Sequence, residues 1–172
     1  NAMGGGDELA FAKKRLARYY KQFPDVDVII GNHSRLIMRK AQSGGVPKEW
    51  MREYNDVLGV PNWDFHTELE IDGVLYAHGE GGTARGKCKA DLQSVVQGHL
   101  HTQLYVDYVV GRNNRVFGMQ VGCGINHEAY AFGYAKAGKK PAIGAGVVLN
   151  GKEAIAVPML IEDYKETKFK TI

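Results

Sequence analysis

Histidines spaced for metal chemistry occur at three places in the chain, and each stands beside a glycine. Gly98-His99-Leu100-His101 carries two imidazoles two residues apart. His78-Gly79 adds a third, and Gly31-Asn32-His33 adds a fourth together with an amide oxygen. If their segment is extended, His99 and His101, two residues apart, leave the backbone on the same side. Neutral imidazole nitrogens with an amide oxygen make a donor set for Mn, Fe, Zn or Ni, whereas Mg and Ca favour oxygen alone.

The elements that must position these residues follow from periodicity and punctuation. Leu9, Ala12, Leu16, Tyr19 and Phe23 recur at steps of three and four, with Asp7 as N-cap and Pro24 as stop. An amphipathic helix is therefore predicted over 7–23. Val26 to Ile30 is apolar and β-branched and reads as a buried strand, followed by a loop over 31–34 and a short helical piece over 35–41. Pro47 suits the first turn of a helix carrying Trp50, Met51, Tyr54, Val57 and Leu58, with Gly59 as its C-cap. Beyond it the pattern is β. Strands 65–71 and 74–77 flank the hairpin signal Asp72-Gly73, and 94–97 is a buried strand. A second hairpin joins 104–110 to 116–121, and a third joins 146–149 to 152–157 through Asn150-Gly151.

Each polar cluster thus follows a strand: Asn32 and His33 after 26–30, His78 after 74–77, His99 and His101 after 94–97. Ligands gather at the carboxyl ends of strands in open α/β sheets, so the three clusters are expected to converge. Gly31, Gly79 and Gly98 permit the sharp exits that would aim them. The fold class is α/β, with a strand-rich second half, in one compact unit.

Gly31-Asn32-His33, His78-Gly79 and Gly98-His99-Leu100-His101, in this order, resemble the second half of the calcineurin-like metallophosphoesterase family. The resemblance covers residues 7 to 125. It implies a β-sandwich flanked by helices, with a two-metal centre between two sheets that hydrolyses phosphomonoesters or phosphodiesters. Carried over residue by residue, Asn32, His78 and His99 match ligands of one metal, and His101 matches a ligand of the other. His33 matches the histidine that stabilises the transition state or protonates the leaving oxygen. Two such cations acidify water and neutralise phosphoryl oxygens together. Arg35 and Arg85 are candidate contacts for the substrate phosphate, weighed against the commoner fate of arginines on a surface.

The family also opens with an Asp-x-His strand end and a Gly-Asp-x-x-Asp loop whose aspartate bridges both metals, and neither stands in place here. Asp7 reads as a helix cap, and Asp64-Phe65-His66 reads as a strand entry because it follows the Asn-His motif. Ser34 occupies the position of a carboxylate that would orient the neighbouring histidine. The expected picture is one partial domain over 4–172 without its N-terminal strands. Residues 1–3 read as a cloning scar. One metal or none is expected to bind this chain, which by itself would be weak or inactive as a catalyst. A reading from another class is a degenerate phosphoesterase-fold module that binds a protein partner or nucleic acid without catalysis.

Composition bounds these readings. The chain has 172 residues, enough for one core, and 22 of them are glycine, which favours turns and short strands over a helical bundle. A net charge of +3 is too small to predict nucleic acid by itself, and the basic runs at 13–18, 85–89 and 136–140 read as solvated surface. No apolar run reaches the roughly 18 residues of a membrane span and the N-terminus carries no apolar signal segment, so neither a membrane nor a secretory protein is expected. Cys88 and Cys123 form no Cys-x-x-Cys, which fits a reducing cytoplasmic compartment, and Cys123 reads as buried or inert. His66 and His127 read as structural, and Trp50 and Trp63 as core and rim. There is no Gly-x-Ser-x-Gly, no P-loop and no dinucleotide fingerprint. Missing strands would leave a bare sheet edge, through which self-association is expected.

Overall fold

Proline and glycine divide the front of the chain into short pieces. The computed structural model of the protein describes residues 4–125 and 141–160. The first three residues, His127 and the basic run 136–140 lie outside them. The chain divides into two compact units, one ending at Thr67 and the other beginning at Glu68.

In the first unit, α1 spans Gly5–Gln22 and stops at Phe23, since Pro24 cannot continue a helix. Its N-cap is Gly4, not Asp7: the amides of Asp7 and Glu8 already donate to the Gly4 carbonyl at 2.9 and 3.0 Å. Asp7 and Glu8 sit inside the first turn, where a negative charge meets the positive end of the helix dipole. β1 is Val26–Ile29, and α2 is Asn32–Ser43 with Gly31 as its N-cap. The segment expected as a loop is therefore already helical at Asn32 and His33. Pro47 caps a single 3₁₀ turn, Lys48–Trp50, and the backbone is extended at Met51 before α3, Tyr54–Leu58. The one helix expected there is broken, although Gly59 closes α3 as anticipated, left-handed at φ 73°.

β2, Trp63–His66, pairs parallel with β1 from Val26 against Trp63 to Ile29 against His66. With a single neighbour, β1 is half-buried at most, where a buried strand was expected. None of the three helices buries a residue fully; within this unit Val60 and Trp63 do. The Trp63 indole N–H donates to the Phe23 carbonyl at 2.8 Å, tying the end of α1 to β2. Trp50 is 83% exposed and takes no part in a core.

In the second unit, β3 (Glu68–Ile71) and β4 (Val74–Ala77) form a hairpin about Asp72 and Gly73, both left-handed at φ 51° and 75°. That is the geometry a type I′ turn requires. The strand expected over 65–71 is thus two strands with different partners. α4 (Ala84–Asp91) follows, capped by Thr83, whose hydroxyl accepts the Gly86 amide at 3.1 Å. Then come β5 (Ser94–Gln97), β6 (Leu104–Val110), β7 (Arg115–Val121), β8 (Gly144–Leu149) and β9 (Glu153–Pro158). The β8–β9 turn is again left-handed at Asn150 and Gly151.

The main sheet runs β3-β4-β5-β7-β6, parallel in its middle and antiparallel at both edges. Alternation along β7 gives it two different faces. Phe117 and Met119 join Val74, Val96 and Ala154 in an apolar core that the β8–β9 hairpin covers. Tyr108 pins that hairpin, its hydroxyl accepting the Ala154 amide at 2.9 Å. Gly118 and Gln120 face α4: a Cβ on Gly118 would stand 2.6 Å from the Ala84 carbonyl oxygen. The described residues are therefore mixed α/β, without a barrel. No helix among them is long and apolar enough to cross a membrane.

Candidate metal centre

β4 and β5 are parallel neighbours in register, Ala77 against Gln97, so they end on one line. His78 follows β4 at once, and His99 lies two residues past β5. Nδ1 of His99 and Nε2 of His78 stand 3.1 Å apart, with the rings edge to face at 73°. His99 is left-handed, at φ 63°, in a three-residue turn closed by the Leu100 amide donating to the Gly98 carbonyl at 2.7 Å. A side chain other than glycine in that conformation stores strain, and such residues cluster at functional sites. The backbone here is not extended, so the condition under which His99 and His101 would leave the same side is not met. His101 sits exposed in the next turn, with its carbonyl accepting the Ala142 amide at 2.7 Å.

The His78–His99 distance falls in the range that two imidazole ligands of one cation would span. Two imidazole nitrogens bound at about 2.1 Å to one metal, in tetrahedral or octahedral geometry, stand about 3.0–3.4 Å apart. Without a metal the same approach suits two neutral rings, one N–H donating to the other nitrogen, and a cation would replace that proton. Among the described residues no cluster of three or more His, Cys, Asp or Glu is arranged to hold a metal. Among the described residues a further donor would be of another type, such as an amide oxygen.

Two buried glutamines stand behind the pair, and sequence reasoning passed over both. Gln97 and Gln120 face each other across β5 and β7, at 2% and 0% exposure. The Gln97 amide donates to the Gly82 carbonyl at 2.9 Å and to Gln120 Oε1 at 3.2 Å. The Gln120 amide donates to the carbonyls of Gln97 and Gly98, while its Oε1 accepts the Ala84 amide at 3.3 Å. A glutamine inside the apolar runs 94–97 and 116–121 was the available signal.

Asn32 and His33 belong to the first unit, as the first two residues of α2. Asn32 is half-buried and His33 exposed. The Ser34 carbonyl accepts the Tyr54 hydroxyl at 2.9 Å, so α3 fastens the start of α2. Burial raises the Tyr54 hydroxyl above its usual pKa, while the charge of Arg35 works against that shift. His66, read as structural, is hydrogen-bonded to Asp27 on the neighbouring strand at 2.8 Å.

Arg85 lies over the Tyr105 ring at 4.8 Å and pairs with Asp107 at 2.6 Å, so its charge is already matched. The Cys88 thiol is raised by burial, which makes it a poor nucleophile. The Cys123 thiol makes a long contact with the His101 carbonyl, 3.8 Å. Compared by sequence, the chain matches no protein-family model and no curated protein.

Proposed function

We propose that the protein is a metal-dependent phosphoesterase-like hydrolase, acting on a phosphomonoester or phosphodiester, with His78 and His99 as ligands of one divalent transition metal. The observation that carries this reading is the 3.1 Å approach of two imidazole nitrogens at the ends of adjacent parallel strands. The left-handed backbone at His99 supports it, since strain of that kind has to be offset by something the geometry provides. The order of the three motifs supplies the chemistry. By that resemblance Asn32 matches an amide-oxygen ligand of the family, and His101 matches a ligand of a second metal. His33, exposed at the start of α2, matches the histidine that stabilises the transition state or protonates the leaving oxygen. Bound metal would acidify water and neutralise the phosphoryl oxygens. The bridging carboxylate of that family has no matching counterpart in these 172 residues, so one metal per chain and slow turnover are proposed.

The test is metal content by elemental mass spectrometry after Mn²⁺ loading and desalting, with hydrolysis of p-nitrophenyl phosphate and bis(p-nitrophenyl) phosphate measured alongside. About one metal per chain, lost in His78→Ala and in His99→Ala, is expected. No bound metal in a folded chain would overturn the assignment. Metal without turnover would favour a binding module that has lost catalysis.

A further inference from the structure

We infer that Gln97 and Gln120 are positioning residues that set the spacing of His78 and His99, an inference that rests on reading those histidines as a metal site. Interior strands between two covered faces are ordinarily apolar, and in 94–97 and 116–121 the buried polar residues are Ser94, whose hydroxyl accepts the Phe117 amide at 3.2 Å, and these two glutamines. A buried amide pair adds little over an apolar pair of equal size, and is costly if any group is left unmade. What the amides do here, and methylenes would not, is hold loop backbone.

Each amide reaches the loop that carries one histidine. Gln120 donates to the Gly98 carbonyl, and that same oxygen closes the turn that makes His99 left-handed. Gln97 donates to the Gly82 carbonyl, in the loop that leaves His78. Its side chain also fills the space beside Gly79, where an added Cβ would stand 2.5 Å from Gln97 Cδ. Gly79 is left-handed at φ 90°, so the loop turns back over the glutamine immediately after the histidine. The Gln97–Gln120 hydrogen bond of 3.2 Å then links the two loops to each other through side chains alone. The histidine spacing is thus set from beneath, by a bridge between the sheet and α4.

Gln120→Met and Gln97→Met keep the volume and remove the donors. Two readouts separate positioning from general stability. The first is the long-range ¹H–¹⁵N spectrum of the metal-free chain at fixed pH, with the imidazole nitrogens assigned through His78→Gln and His99→Gln. The second is Co²⁺ affinity read from its visible absorption. In Gln120→Met the His99 nitrogen signals should move and Co²⁺ binding should weaken about tenfold or more. Val96→Ala, a core change elsewhere on β5, should leave both readouts as they were. Unmoved signals with unchanged affinity would overturn the inference, as would equal changes in Val96→Ala. If the parent chain takes up no Co²⁺, the metal reading fails, and the histidine signals alone decide the positioning role. If Gln120→Met does not fold, Gln97→Met carries the same readouts on the His78 side.

Discussion

The two units differ in how their elements are held. In the second, a five-stranded sheet has β7 covered on both sides, by α4 on one and the β8–β9 hairpin on the other. In the first, two strands pair with each other and no helix has a fully buried residue. Residues that the sequence singled out occur in both units, on unlike supports. His78 and His99 sit on the well-packed sheet, whereas Asn32 and His33 open a lightly packed helix. Precision comes from packing, so the sheet-borne pair has an arrangement of its own, 3.1 Å apart.

The sharpest way to break this contrast is by substitution in each unit. Phe117→Ala removes a ring that is 1% exposed, and should cost about 3–5 kcal/mol in urea unfolding followed by circular dichroism. Leu9→Ala on α1, at a residue 38% exposed, should stay within about 0.5 kcal/mol. Equal losses would mean that the helices of the first unit are buttressed as firmly as the sheet. A smaller effect of opposite sign is expected at the centre itself. His99→Gly relieves a left-handed conformation and should be about 0.5–1 kcal/mol more stable than His99→Ala, by the shift in urea midpoint. If the two variants match, the strain assigned to His99 is absent. The smallest effect belongs to Asp107→Asn, which breaks the pair with Arg85. With the partners 52% and 33% exposed, the loss should be under about 1 kcal/mol and should shrink further in 1 M salt.

Much of the second unit could be read from the sequence, because its local signals and its tertiary pairing agree. Asp72-Gly73 and Asn150-Gly151 adopt the left-handed turns their residue types favour, and the buried run 94–97 is β5. The front was harder. Residues 63–71 form one stretch of alternating apolar and polar residues, and nothing local says that 63–66 will pair with β1 while 68–71 turns to β4. The start of α2 was missed because Asn and His after a glycine favour a turn as readily as a first helical turn. At the candidate centre, the residue types and their place after strands were legible. The approach of His78 to His99 was not, since it depends on a left-handed turn and on two glutamines that contact the loops from distant strands.

Gly118 has a consequence for how this protein can vary. Every missense change at a glycine codon introduces a Cβ, and here that atom would meet the Ala84 and Arg85 backbone at 2.6–2.8 Å, which no side-chain rotation relieves. The seating of α4, with the loop leading into it from His78, is therefore inherited through a single codon that tolerates no neighbour in sequence space. In a saturation library, position 118 should fall silent as completely as the histidines do, though it carries no chemistry of its own.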